Sequence, residues 1–539
     1  MRKPSTVSGI LWVYAALSLA GCKEEEPPPP GQQELPPGEA CDPTVERVPD
    51  SEQGTGGESY PPVCAPGLAC EPVDGSSGDY VCGAAVELRG LVTDSTTGTP
   101  IAGALVAALN ESGEPVTDVA TTDACGAYVL PVSVRRTPDG QFAETPKWTL
   151  NVSAQDYLPF PAGLRPALPI DIVDAVPDPD PPEADSDGED HIIEIIDNAA
   201  TSVALVPLPA DEAGGAVVTG TVAGEGVAGM LVVAEGGAGR TPYGIVDASG
   251  HYTLFNVSDG EKTIRGYRRG VEVDPIVVMA TGGAVEGADL PVVGTDPAAM
   301  ATVDGSLNIV NAPGGSQTSV VLVPTSVYNE LLERGPVPVG LRVPDPPLAP
   351  DVTGSFAFDG VPAGTYKVLV AFENDDLVRD PDEGIAGTDI QEITVAAGQP
   401  VSLEEGFKVT EALEVSGPGA SAPERVDAQP TLVFADDSSE DGYIIHVYNA
   451  LGDLVWETEI EGVSGSARVE VPYGGPALEP GMYYQFRATS FREPPNGDRT
   501  FISRTEDLRG VFVTGEPEPA DVCESEETDG GGADGTTGG

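Results

Sequence analysis

Short runs of alternating apolar and polar residues, rich in β-branched side chains and separated by Gly, Pro and Asp, recur along the chain. This period of two predicts strands half-buried on a sheet. Three segments repeat one another. Each opens with a strand, Leu88-Arg-Gly90-Leu-Val92, Val218-Thr-Gly220-Thr-Val222 and Val303-Asp-Gly305-Ser-Leu307. In the first two a second strand is expected over 101–106 and 227–232. All three then carry a turn and a strand: Asp123-Ala-Cys-Gly126-Ala-Tyr128-Val-Leu130, Asp247-Ala-Ser-Gly250-His-Tyr252-Thr-Leu254 and Asp351-Val-Thr-Gly354-Ser-Phe356-Ala-Phe358. Asp opens such a turn by bonding its own backbone, Gly closes it, and the aromatic and the residue two further on point into one core. The third copy continues through Gly360-Val-Pro-Ala-Gly364-Thr-Tyr366-Lys-Val368, which reads as a hairpin. Beyond residue 412 the pattern changes: Tyr443-Ile-Ile445-His-Val447 alternates, Leu451-Gly-Asp turns, and Val455-Trp456 begins a new strand. The predicted fold class is all-β, tandem β-sandwiches after a disulfide-stapled Cys-rich module, with a disordered tether and tail.

The first residues follow a different rule. Arg2 and Lys3 precede an apolar run from Gly9 to Ala20, too short to span a membrane and followed at once by Pro-rich polar chain, which is the layout of an export signal. Leu19-Ala20-Gly21-Cys22 directly behind it resembles the lipobox of bacterial lipoproteins, which implies an acylated Cys22 at the start of the mature chain. Lys23 rather than Asp follows, so the resemblance implies the outer membrane or the cell surface, with the lipid anchor as the contact to the membrane. Residues 22–40 are rich in Glu and Pro and read as a stiff tether. Cys41, Cys64, Cys70 and Cys82 then fall in a Gly-, Pro- and Ser-rich stretch too poor in apolar residues for its own core, the setting in which disulfides substitute for one. Four cysteines allow three pairings, and the spacing does not choose between them. The run Cys64-x5-Cys70-x11-Cys82 lacks the paired C-x2-C of a zinc site. Cys125 and Cys523 remain, either bonded to each other or as separate thiols.

The V-x-G-x-V strand, the Pro100-Ile101-Ala-Gly103-Ala-Leu105-Val106 stretch and D-x-x-G-x-Y-x-L together resemble the carboxypeptidase regulatory-like domain, in three copies over residues 84–411. That family is a seven-stranded sandwich of transthyretin-like topology among the carbohydrate-binding-like folds, and the resemblance implies accessory, non-catalytic modules. Leu478-Glu-Pro480-Gly481-Met-Tyr-Tyr484 resembles the L-x-P-G-x-x-Y corner of fibronectin type III domains, where the Tyr hydroxyl ties the strand corner to the backbone. The early Trp of that family is missing, so the last module is expected to be fibronectin- or immunoglobulin-like. The chain then divides into a signal peptide (1–21), tether (22–40), Cys-rich module (41–83), sandwiches at 84–210 with an acidic insertion, 211–298, 299–411 and 412–515, and an acidic Gly-rich tail (516–539).

Acidic residues number 87 against 26 basic ones, a formal charge of −61. Such a surface repels phosphate and has no Lys/Arg cluster to seat one, which excludes a nucleic-acid partner. Three histidines, His191, His251 and His446, leave little for His-based catalysis or zinc. His191-Ile-Ile-Glu194 matches the H-x-x-E pair of zinc carboxypeptidases, but the helix–strand alternation of their α/β core has no counterpart, and 191–206 reads as the closing strand of the first sandwich. No catalytic residue and no firm cofactor follow. Calcium is the metal the acidic patterns would take. Glu183-Ala-Asp185-Ser-Asp187-Gly188 through Glu194 has the oxygen spacing of an EF-hand-like loop, with Glu for Asp at its first position. Asp375, Asp376, Asp380 and Asp382 form a second cluster behind a strand. Both also read as solvated acidic loops; as calcium sites they would stiffen an extended array. Trp148 and Trp456 lie in alternating strands and are expected in cores, whereas Tyr483, beside the corner Tyr484, is expected on the opposite, exposed face.

These observations point to a non-enzymatic envelope lipoprotein that binds or scaffolds extracellular ligands, carbohydrate or an envelope protein, through loops at sandwich ends. A divergent or accessory metallocarboxypeptidase and a passive surface spacer are the rival expectations. Cys22→Ser is expected to abolish palmitate incorporation and to move the expressed protein from the detergent to the aqueous phase on detergent phase partition.

Overall fold

A computed structural model describes residues 33–45, 61–65, 68–74, 76, 78–138, 141–179, 193–237, 239–372, 374–382, 389–463, 465–495 and 499–515. The signal peptide, Cys22, Asp185, Asp187, His191, Cys523 and the acidic tail lie outside them. Among the described residues the chain is all-β apart from three short 3-10 turns, and no helix is long and apolar enough to cross a membrane.

The repeated motif explains itself where its two strands meet. Strand Tyr80–Asp94 pairs antiparallel with Ala127–Val132 so that Gly90 faces Tyr128. In the same way Gly220 faces Tyr252 and Gly305 faces Phe356. A Cβ on Gly90 would overlap the Thr201 carbonyl, and one on Gly220 the Ala288 carbonyl. The buried tyrosines donate to those same carbonyls, Tyr128 to Thr201 at 2.5 Å and Tyr252 to Ala288. The glycine is therefore the gap through which the phenol reaches a backbone carbonyl of the returning segment. The aspartates of the first two copies do what the turn pattern requires: Asp123 Oδ1 accepts from the N–H of Cys125 and Ala127 (2.8 and 2.9 Å), and Asp247 Oδ1 from Ser249 and His251 (both 2.9 Å).

Closing strands return parallel to each opening strand: Ile193–Ile196 and Val203–Leu205 along Tyr80–Asp94, Ala284–Val285 along Ala216–Thr221, and Val401–Ser402 with Phe407–Glu411 along Ala301–Val310. Opposing sheets centred on Leu105–Leu109 with Lys147–Ser153, Leu231–Glu235 with Gly260–Tyr267, and Val320–Pro324 with Gly364–Val370 complete three sandwiches. In the last, Val415–Gly417, Thr431–Ala435 and Arg468–Pro472 pack on a six-stranded sheet built around Gly442–Asn449 and Tyr483–Arg492. At its corner Tyr484 Oη accepts from the Glu479 N–H at 2.8 Å. Each sandwich has a main apolar core, that of the third taking in Leu231, Val233 and Tyr267 of the second, and Trp148 is buried in the first.

Three expectations change. Segments 101–106 and 227–232 are not single strands: Gly103 and Gly229 both have φ +77°, the left-handed region that glycine favours, so each segment turns first and the strands begin at Leu105 and Leu231. The stretch 355–370 is not a hairpin, because Ser355–Val361 joins one sheet and Gly364–Val370 the other. Phe356, Phe358, Tyr366 and Val368 thereby all reach the core between them. The third change concerns the array, which is not extended.

The Cys-rich segment is stapled by Cys41–Cys70 and Cys64–Cys82. Cys70 and Cys82 face each other across Leu68–Pro72 and Tyr80–Asp94, and each bonds outward to a third strand or loop. Cys125 is disulfide-bonded. Tyr80–Asp94 runs unbroken into the first sandwich, and buried Glu71 accepts from Ser133 Oγ (2.9 Å) and the Val134 N–H (2.5 Å), so the staple and the sandwich are one packed unit.

The sandwiches close on one another. Arg268 pairs with Glu114 at 2.5 Å between the second and first. Arg269 pairs with Asp359, and Tyr267 meets Tyr366 edge-on at 5.7 Å, between the second and third. Leu164 and Val206 of the first and Leu332 of the third enter the core of the fourth. Arg165 of the first lies 4.2 Å over the Tyr483 ring of the fourth. Gly220→Ala is expected to lower stability by about 1–3 kcal/mol through overpacking, and Tyr252→Phe by about 1 kcal/mol through the lost hydrogen bond; the urea midpoint of the transition that carries the second sandwich checks both.

Candidate functional site

A cavity of about 700 Å³ lies where all four sandwiches meet. Its walls are loops and edges, not strand faces. The loop after Lys147–Ser153 supplies Tyr157, the edge strand Tyr243–Ile245 supplies Tyr243, and the loop behind Val320–Pro324 supplies Tyr328 and Asn329. Asp211, Asp259, Glu330 and Asp453 are exposed at its rim, while the three tyrosines are half-buried.

Two of the walls are tied to a neighbouring module and the third is capped within its own loop. Asn256 of the second sandwich, at φ +60°, accepts from Gln155 Nε2 (2.9 Å) and the Asp156 N–H (2.7 Å) and donates to the Tyr157 carbonyl (3.2 Å), fixing the Tyr157 loop of the first. Arg240 donates to Glu212 at 2.8 Å and to the Leu451 carbonyl of the fourth. Asn329 Oδ1 caps its own loop by accepting from the N–H of Leu331 (3.0 Å) and Leu332 (2.9 Å).

The phenols remain donors at neutral pH. Burial, with Asp94 beside it, pushes the Tyr157 hydroxyl up to about 12, and it hydrogen-bonds Asp94 at 3.1 Å. Burial likewise raises Tyr243 and Tyr328. The Tyr328 hydroxyl is buried without a hydrogen-bond partner.

Immediately behind Tyr328, the same loop enters the fourth sandwich. Leu332 is 2% exposed in its core. Glu333 pairs with Arg504 at 2.6 Å and Arg379 at 3.2 Å. Arg487 donates to the Leu332 carbonyl at 2.6 Å, and Asp507 pairs with Arg334 at 3.3 Å. Burial opposes ionisation of Glu333, but the Arg504 and Arg379 charges outweigh it and hold the carboxyl well below the usual range. Glu506, at the same junction, behaves in the opposite sense. Burial pushes it up to about 7, against the Asp376 N–H it accepts at 2.8 Å and against Arg509.

The second acidic cluster is spread over this junction. Asp375 Oδ1 accepts from the Leu377 N–H (3.2 Å), Asp376 faces Glu506, and buried Asp380 pairs with Lys408 at 2.8 Å and accepts from the Asp382 N–H at 2.9 Å. Glu194 sits in a strand opposite Val86, with Arg136 near enough to feel its charge. Among the described residues the one set of three metal-ligating atoms within 4.8 Å of one another is Cys41, Cys64 and Cys70, whose sulfurs are taken up by disulfides.

The described histidines are both engaged. His446 meets Glu457 at 2.9 Å. His251 Nδ1 meets Ser249 Oγ at 2.8 Å, but Asp247 bonds that same hydroxyl at 2.7 Å rather than the far ring nitrogen, so the arrangement is a turn and not a nucleophile–base relay. Tyr483 is not the exposed platform expected, because Arg165 covers its ring. Trp456 is half-buried, edge-on to Tyr473 at 4.9 Å. The aromatic surface that does face a cavity is Tyr157, Tyr243 and Tyr328, none of which lies in the repeated motifs.

No family model matches this chain, and no curated protein sequence does. Among solved structures it is similar to the Bacillus anthracis TIE protein (11% identity, 77% of this chain and 68% of that one covered, TM-score 0.13). It is also similar to two B repeat units of the collagen-binding protein of Staphylococcus aureus (12%, 81% and 100%, TM-score 0.16), and to the minor pilin GBS52 of Streptococcus agalactiae (13%, 39% and 99%, TM-score 0.17).

The two glutamates predict opposite responses to pH. The depressed Glu333 contributes stability that is complete above the ordinary carboxylate range and is lost as pH falls through its lowered value. The raised Glu506 favours the folded state when protonated, so its contribution falls as pH rises from the ordinary range to about 7. Glu333→Gln is expected to cost about 3–5 kcal/mol at neutral pH, because it leaves buried arginines uncompensated. Glu506→Gln is expected to stabilise by about 2–3 kcal/mol above about pH 8 and to change little near about pH 4, read from urea unfolding across pH.

Proposed function

We propose that this chain is a non-enzymatic lipoprotein of the bacterial cell envelope, anchored through Cys22, that binds carbohydrate in the cavity shared by its four sandwiches. In this reading the first three sandwiches are regulatory-like modules and the fourth a fibronectin-like one. The observation that carries the reading is the cavity itself. It is within the size range of ligand pockets, walled by half-buried tyrosines and rimmed by carboxylates and carboxamides. Tyrosine offers a rigid apolar ring face, which suits the C–H surface of a sugar ring. Carboxylates and carboxamides accept from sugar hydroxyls, and the acidic rim disfavours anionic ligands. Among the described residues no histidine lines the cavity, and several of its carboxylates hold structural partners: Glu212 with Arg240, Glu330 with Lys367 and Asp259 with the Gly282 N–H. That is the make-up of a binding site rather than a hydrolytic one.

The test is a panel of neutral and amino-sugar glycans and envelope polysaccharides on the full chain, with Tyr243→Ala and Tyr328→Ala alongside. Binding by the wild type that falls by about tenfold or more in both variants, with unfolding midpoints unchanged, supports the reading; no binding by the wild type to any member of the panel overturns it.

A further inference from the structure

We propose that the groove between the first and second sandwiches is a second subsite continuous with the cavity, so that the protein grips a linear oligosaccharide along its length and not a single sugar. The proposal rests on the carbohydrate reading of the cavity and adds the form of the ligand.

The groove, of about 290 Å³, follows from strand periodicity. In Lys147–Ser153, Trp148, Leu150 and Val152 point into the first core, which sends Asn151 and Ser153 outward. Thr253 of His251–Val257 alternates in the same way with buried Tyr252 and Leu254. These outward faces oppose each other, so the groove floor carries a carboxamide and two hydroxyls, and His251 stands exposed at its edge. Ser153, Pro159 and Tyr243 border both the groove and the cavity. Tyr243 is therefore the partition between two compartments that open onto each other. A chain-like ligand with hydroxyls at every unit would meet polar side chains on both sides of this one phenol.

A peptide is the rival occupant, since Tyr243–Ile245 is the edge strand of its sheet. The edge is three residues long, too short to template a peptide strand. Gly244 lies so close to the Thr253 carbonyl that even a Cβ would overlap it. The groove accordingly recognises side-chain-to-hydroxyl chemistry and not main-chain pairing.

The experiment is isothermal titration of the full chain with the di-, tetra- and hexasaccharides of β-linked N-acetylglucosamine and of β-linked glucose. Affinity is expected to rise about tenfold or more from the disaccharide to the hexasaccharide of the series that binds. Asn151→Trp, which fills the groove from an outward position, is expected to remove that rise and leave disaccharide affinity intact. Asn151→Ala, which adds no bulk, is expected to reduce it. A disaccharide that binds as tightly as the hexasaccharide overturns the second subsite while leaving the cavity reading standing. Failure of every oligosaccharide overturns the second subsite, and failure of the whole glycan panel overturns the cavity reading with it. An unstructured peptide that binds and is displaced by Asn151→Trp would assign the groove to protein instead.

Discussion

The carboxylate of Glu333, set between Arg379 and Arg504, is the contact on which the assembly turns. It lies on a loop of the third sandwich whose preceding residue, Leu332, is buried in the core of the fourth. An anchor made only of Leu332 would be apolar and tolerant of sliding. The guanidinium pair around Glu333 removes that freedom, because planar forks accept a carboxylate in few orientations. The loop that is pinned here also carries Tyr328 and Asn329, so one buried ion cluster fixes both a junction and a wall of the cavity. Its cost is the desolvation of several charges, which is why the cluster is complete only as a set: Asp507 balances Arg334 and Arg487, as Glu333 balances Arg379 and Arg504.

The same economy of cations is visible elsewhere. A chain with 87 acidic and 26 basic residues repels itself when compacted. Several of its arginines sit where that repulsion would otherwise part the modules. Arg268 and Arg269 join the second sandwich to the first and third, Arg240 joins it to the fourth, and Arg165 joins the first to the fourth through the Tyr483 ring. Each uses a planar head to reach a carboxylate, a carbonyl or an aromatic face across a junction. The acidic excess is left on the outside and around the cavity rim.

Much of the fold was legible in the sequence because it is local. Alternation located strands, and the Asp–Gly turn with its aromatic placed Tyr128 and Leu130, and Tyr252 and Leu254, in their cores. Where the reading failed, the deciding factor was either a single backbone angle or a distant partner. Gly103 and Gly229 take the left-handed region and break strands that composition alone would continue. The expectation that Tyr483 is exposed followed correctly from alternation with Tyr484. It failed because Arg165, more than three hundred residues earlier in the chain, covers the ring. The cystine pairing could not be read from spacing either, because Cys70 and Cys82 oppose each other across strands yet bond elsewhere.

The cavity was hidden for a deeper reason. Tyr157, Tyr243 and Tyr328 lie in a loop, a three-residue edge strand and a 3-10 turn exit of three different modules, with no periodicity to mark them. Tyr157 packs against the core of the first module and Tyr243, of the second, against that of the third, contacts distant in sequence that no local pattern records. A site built this way is rigid only when the modules are packed, and its occupancy therefore favours the packed state: a ligand touching several sandwiches stabilises the closed arrangement in proportion to the logarithm of its concentration over its dissociation constant. In the proposed reading binding and cohesion would be two sides of one equilibrium, and the Asn256, Arg240 and Glu333 contacts that hold the walls would matter to recognition as much as the tyrosines that line the cavity.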